Sequence, residues 1–186
     1  MSMKRVSAAI MVILILGAGS LSACTTLVPA PESEPTSEFS NWFGYELVDV
    51  QTGETFTMND YAGKVVLLET MAIWCPNCLV QATQVRDLHE QVANPDDLIS
   101  VSLDVDVNED GPSLKDYSEG YGFDWHFAVA TLEVARALGN LYTAQYLNPP
   151  ISPMLIIDRN GDVHHLPYGF KSTEKLLEFV EPYLDQ

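Results

Sequence analysis

Apolar residues in this chain gather in short, nearly unbroken runs separated by stretches of helical periodicity. Val65-Val66-Leu67-Leu68-Glu69-Thr70-Met71 is such a run, opened by Gly63 and Lys64, and its lack of alternation predicts a central strand covered on both faces. Leu98 to Asp104 repeats the pattern. Between them Cys78, Ala82, Val85 and Val92 fall at i, i+4, i+7 and i+14 with Leu88 beside them, opposite Gln84, Asp87 and Gln91, which predicts a helix from Pro76 to about Val92. Further helices are expected over Pro112 to Glu119, over Leu132 to Leu141, and from about Ser172, where Glu174 sits in the first turn and Leu176, Leu177, Val180 and Leu184 share a side. Met154 to Asp158 and Val163 to Leu166 flank the turn Arg159-Asn160-Gly161-Asp162, a hairpin pattern. Tyr45 to Val50 and Thr55 to Met58 flank Gln51 to Glu54 in the same way near the start. Strand and helix alternate, so the expected fold is α/β: a central mixed β-sheet flanked by helices, with an extra N-terminal β-hairpin.

The first residues follow another logic. Lys4 and Arg5 precede Val6 to Gly19, where Ser7 is the only polar residue before Gly17 and Gly19 thin the run. This is the charged and apolar layout of a secretory signal, too interrupted for a membrane span. Leu21-Ser22-Ala23-Cys24 resembles the bacterial lipoprotein box, in which small residues admit the signal peptidase and the Cys accepts a lipid. The expected organisation is a signal peptide over 1–23, a flexible Pro-, Ser- and Glu-rich tether over 24–38, and one domain over 39–186. The expected location is extracytoplasmic, anchored to the membrane through lipid on Cys24.

Charge narrows the classes of partner. Nine Lys plus Arg against 26 Asp plus Glu leave a net charge of −17, and removal of residues 1–23 would take two basic and no acidic residues away. A surface so acidic does not capture phosphate backbones, which excludes nucleic acid. Three Cys are too few for a disulfide-dense miniature scaffold.

Once Cys24 is assigned to lipid, only Cys75 and Cys78 remain, in Trp74-Cys75-Pro76-Asn77-Cys78 at the junction of the buried strand and the amphipathic helix. Two Cys three apart at a helix start can close a short disulfide, and unpaired N–H groups with the positive end of the helix dipole favour a thiolate there. Pro76 falls at about the first helical position, where its missing N–H is harmless. The first Cys of such a turn is expected at the exposed end as nucleophile, and Cys78, on the inward stripe, as resolving thiol.

These features, with Met58 to Lys64 ahead of the strand and Ser152-Pro153-Met154-Leu155-Ile156-Ile157-Asp158 with its Asn160-Gly161 turn behind it, resemble the thioredoxin superfamily, in particular its membrane-anchored TlpA and ResA type. The resemblance implies a thiol-disulfide oxidoreductase without bound cofactor. It would act on thiol- or disulfide-containing extracytoplasmic proteins and exchange electrons with a membrane donor or acceptor, mostly as a reductant, as in cytochrome c or metal-site maturation. It also implies that Pro153 is cis and lies against the dithiol, leaving the backbone of Ser152 open to a partner segment, with Trp74 and Pro76 bordering the same groove. Pro149 and Pro150 precede the strand by too much for that place. Glu69 stands six residues before Cys75, where the family carries its buried acid, and is the expected proton acceptor for Cys78.

Other readings of the same residues are a Sco-like copper-binding chaperone, which would want a CxxxC pair and a His, and an oxidant or isomerase of secreted disulfides. Ala72 stands where peroxiredoxins need Thr or Ser, which argues against peroxide reduction. His89 is expected to be solvated, and His126 is open between core and site.

Overall fold

All seven residues of Val65–Met71 are buried, and this strand, β3, forms the centre of a five-stranded sheet. The structure, a computed structural model, describes residues 41–184. Cys24, the expected signal peptide and the tether lie outside the described residues. Before β3 comes a two-stranded antiparallel hairpin, β1 (Leu47–Val48) and β2 (Thr55–Phe56), with Leu47 opposite Phe56. Parallel to β3 runs β4 (Leu98–Asp104), followed outward by the parallel β5 (His126–Val129). On the other side lie the antiparallel β6 (Met154–Ile157) and β7 (Val163–His165), giving the order β5-β4-β3-β6-β7.

Four helices join the strands: α1 (Pro76–His89), α2 (Gly111–Tyr121), α3 (Leu132–Leu141) and α4 (Thr173–Leu184). Asp110 caps α2 by accepting the Ser113 N–H at 2.9 Å, and Gly122, at φ +69°, ends it in a left-handed turn that a side chain would strain. The hairpins, β3, β4, α3 and the α/β architecture stand as the hydrophobic pattern predicts. Two features do not follow from that pattern. β5 lacks a hairpin turn of the kind that marks β6 and β7, and 3-10 turns at Ala144–Leu147 and Pro149–Ile151 fill the approach to β6.

Alternation along β3 sorts its side chains between two cores. Val65, Leu67 and Met71 pack with Cys78, Ala82, Val85 and Leu88 of α1, with Leu176 and Val180 of α4, and with Phe123, Trp125 and Phe127. Val66 and Leu68 face the opposite core, with Val134 and Leu138 of α3 and with Trp42, whose Nε1 donates to Tyr142 Oη at 2.8 Å. Glu69 is in phase with Leu67 and Met71 and therefore projects to the side of the sheet that carries α1. Sheet parity thus brings a carboxylate and a cysteine-bearing helix to one face.

Candidate active site

The turn from β3 into α1 holds the cysteines. Cys75 is the N-cap of α1 and is joined to Cys78 by a disulfide with a Cα–Cα distance of 5.3 Å. Its Sγ accepts the Cys78 N–H at 3.2 Å, a donor shared with the Cys75 carbonyl at 3.1 Å, so an N–H of the first helical turn reaches the sulfur expected to carry charge. Pro76 occupies the first helical turn as expected. Exposure differs from the expectation. Cys75 is as buried as Cys78, at 1% and 2%. What faces solvent is its rim: Trp74, at 56% exposure, Pro76 and Asn77.

A second wall comes from the turn ahead of β6, and here several expectations are corrected. The Pro149 carbonyl oxygen lies 3.5 Å from Cys78 Sγ, and the Pro150 carbonyl accepts Asn77 Nδ2 at 2.9 Å. These two prolines therefore do border the couple. No cis peptide bond occurs among the described residues, so Ser152–Pro153 is trans. The chain reverses instead at Ser152, whose φ of +48° closes the 3-10 turn in the left-handed region. The backbone of Ser152 is not open to a partner. Its N–H donates to Pro149 O at 2.8 Å, and its carbonyl accepts Lys171 Nζ at 2.9 Å. Pro153 is buried and its carbonyl accepts the Thr70 N–H at 3.1 Å, extending the pairing of β6 with β3.

Glu69 is 4% exposed, and its Oε1 accepts Ser102 Oγ–H at 2.6 Å across the register of β3 and β4. Ser102 in turn accepts Trp125 Nε1 at 2.9 Å. Burial pushes the Glu69 carboxyl up to about 7, against the opposing pull of the Ser102 hydrogen bond and the Lys171 charge. Lys171 is itself 4% exposed, and burial pushes its ammonium down to about 8 while Glu69 acts in the other direction. Nζ donates to Ser152 O and, at 2.7 Å, to Gly169 O. The Lys171 main chain exchanges two hydrogen bonds with the side chain of Gln81, one turn beyond Cys78. Tyr117 Oη lacks a hydrogen-bond partner among the described residues, and burial followed by the Glu69 charge pushes its phenol well up. Lys171 was not legible in the sequence, where it lies in a segment without periodicity.

Neither was the loop after β4. Glu109 Oε2 accepts the Ile73 N–H at 2.7 Å and its Oε1 the Trp74 N–H at 3.3 Å. Asp106 Oδ2 accepts Trp74 Nε1 at 2.5 Å, and Asp104 Oδ1 accepts the Asp106 N–H at 2.9 Å.

The histidines are bound elsewhere. His89 is half-buried rather than free: it bonds Ser100 Oγ at 2.8 Å and stacks on Trp125, and burial lowers its pKa. His126 bridges Asp49, at 2.8 Å, and Tyr61, at 2.9 Å, beneath the N-terminal hairpin. His164 bonds Asp158 and His165 bonds Tyr146. No group of three His, Cys, Asp or Glu able to hold a metal ion occurs among the described residues. A cavity of about 780 Å³, lined by Met58, Tyr61, Tyr142, Arg159 and His165 among others, includes no residue of the Trp74–Cys78 turn.

The redoxin family model matches residues 29–180. No curated protein matches the sequence significantly. Among solved structures, a thiol:disulfide interchange protein of the thioredoxin family from Chlorobium tepidum TLS superposes with a TM-score of 0.61 at 22% identity, covering 75% of this chain and 92% of that one. A secreted Mycobacterium tuberculosis disulfide oxidoreductase homologous to E. coli DsbE gives a TM-score of 0.56 at 16% identity over 74% and 95% of the two chains. A thiol-disulfide isomerase from Corynebacterium glutamicum gives 0.58 at 17% identity over 76% and 92%. At these identities the likeness is one of fold. The chain belongs to the redoxin family, and the Cys75–Cys78 couple set into its thioredoxin-like fold makes it a thiol-disulfide oxidoreductase.

Proposed function

We propose that this oxidoreductase works as a reductant of disulfides in extracytoplasmic proteins, held at the membrane by lipid on Cys24 and recharged by a membrane-bound dithiol donor. The observation that carries the division of labour is the unequal surroundings of the two sulfurs. Cys75 Sγ receives the Cys78 N–H, which favours a thiolate, whereas Cys78 Sγ lies against the Pro149 carbonyl oxygen, which favours a protonated thiol able to donate to it. In the reduced protein the Cys75 thiolate attacks a substrate disulfide, forming a mixed disulfide and expelling one substrate thiolate, which takes up a proton. Glu69 accepts the Cys78 proton. The Cys78 thiolate then attacks Cys75 Sγ and expels the second substrate thiolate. Two electrons pass to the substrate and the Cys75–Cys78 disulfide remains, to be reduced again by the donor's two thiols. Trp74 and Pro76 form the exposed rim on which substrate docks.

Cys78→Ser should trap substrates as mixed disulfides through Cys75. Trapping by Cys75→Ser instead would reverse the roles. Equilibration with glutathione should place the couple nearer thioredoxin, at about −270 mV, than DsbA, at about −120 mV. A value near the DsbA end would overturn the reductant direction. Cys24→Ser should abolish fatty-acid labelling and release the protein from membranes, and absence of label on the wild type would refute the anchor.

A further inference from the structure

We propose that Glu109 is a positioning residue for the couple: by accepting the Ile73 and Trp74 N–H groups it fixes the turn that presents Cys75, and its negative charge, held on the two main-chain donors that precede that cysteine, disfavours the Cys75 thiolate, biasing the couple toward the disulfide and so toward electron donation. The inference rests on the reductant reading and supplies a physical source for its direction.

The geometry is specific. Ile73 and Trp74 are the two residues ahead of the N-cap cysteine, and both of their main-chain donors end on one carboxylate, at 2.7 and 3.3 Å. A strand running into a helix leaves such donors without ladder partners, and here an acid from the neighbouring loop takes them. Asp106 fixes the remaining handle of the same residue through the Trp74 indole.

The titratable groups in the electrostatic reach of Glu109 are Asp104 from β4 and the Tyr117 phenol from α2. No ion pair links Glu109 to a basic side chain among the described residues. Burial first, with a hydrogen bond to Glu109 and the charges of Glu109 and Asp106 adding to it, pushes the Asp104 carboxyl up.

Two fields thus act on Cys75 Sγ with opposite sign. The first turn of α1 stabilises a thiolate, and the Glu109 carboxylate opposes it. A couple whose thiolate is stabilised becomes a stronger oxidant, because its reduced form is the one stabilised. A carboxylate at this position pushes the other way, and the disulfide forms more readily once electrons have been given up.

The test compares wild type with Glu109→Gln and Glu109→Ala. The Cys75 midpoint is read from the pH dependence of alkylation, and the redox equilibrium is measured against a reference dithiol from pH 6 to 9. Removing a unit charge held on the two N–H groups ahead of Cys75 at a half-exposed site should lower the midpoint by on the order of one pH unit, a tenfold gain in thiolate below it. At pH 9 the equilibrium should shift by about tenfold toward the dithiol, equivalent to about 30 mV, and this shift should dwindle as pH falls below the midpoint. Glu109→Asp, which keeps the charge, should restore most of the wild-type midpoint. A purely structural role would change stability without that pH signature. Unchanged midpoints in both neutral variants, or loss of the fold in both, overturns the inference. If wild type itself shows no disulfide turnover and Cys78→Ser traps nothing, the reductase reading fails instead.

Discussion

Replacing Glu69 by Gln probes the buried acid with little change of shape. The carboxyl is pushed from its ordinary 4.5 to about 7, and that gap corresponds to a cost of about 3 kcal/mol for holding the ionised group in the folded protein. The folded-state value is raised, so the cost is absent below pH 4.5, grows between 4.5 and 7, and is constant above. Gln can still accept the Ser102 hydroxyl that Glu69 Oε1 receives at 2.6 Å, so that bond survives. The offset is Lys171, which loses the opposite charge that holds its pKa up and so ionises less readily. Glu69→Gln should therefore be near neutral at pH 5 and stabilising by about 1 to 3 kcal/mol at pH 8.5, where Lys171 already releases its proton. Urea denaturation of the oxidised protein at pH 5, 7 and 8.5 measures this difference. Stopped-flow resolution of a mixed disulfide should meanwhile slow, most visibly near pH 7, because no internal acceptor remains for the Cys78 proton. A stability difference independent of pH, or unchanged resolution rates from pH 6 to 9, would refute the assignment.

Lys171→Met strips the donor from the Ser152 and Gly169 carbonyls and leaves ionised Glu69 unopposed, but it also relieves the cost of holding a buried ammonium whose pKa is pushed down to about 8; its effect on stability should therefore be less favourable at pH 7.5, where Glu69 ionises, than at pH 5, where Glu69 is neutral, by about 1 to 2 kcal/mol, and an equal effect at both pH values would show that the charge pairing is immaterial. Asp110→Ala removes the cap on Ser113 N–H and should lower the denaturation midpoint, while Asp110→Asn, which keeps the acceptor, should recover most of the loss.

How much of this could be read in one dimension depended on whether the signal was local. Val65–Met71 and Leu98–Asp104 announced themselves as buried strands because a run without polar alternation can be satisfied only between two covered faces. The Cys75–Cys78 pair was legible because strand, turn and helix are contiguous, and Glu69 because its cost of burial is evident from its apolar neighbours. β5 was missed because no turn signal marks it, as the Asn160-Gly161 turn marks the comparably short β6 and β7. The rest required three dimensions. Lys171 reaches Ser152 and the field of Glu69 only because the chain after β7 returns over α1, where Gln81 pins its main chain. Glu109 reaches Ile73 and Trp74 only because parallel pairing of β3 and β4 sets their ends side by side, Met71 opposite Asp104. The reversal ahead of β6 was settled at Ser152 by a positive φ rather than at Pro153, a choice made by the fit of the Pro149–Ile151 turn against α1. Local periodicity specifies which faces must be buried, whereas hydrogen bonds between residues tens of positions apart exist only once those faces have met.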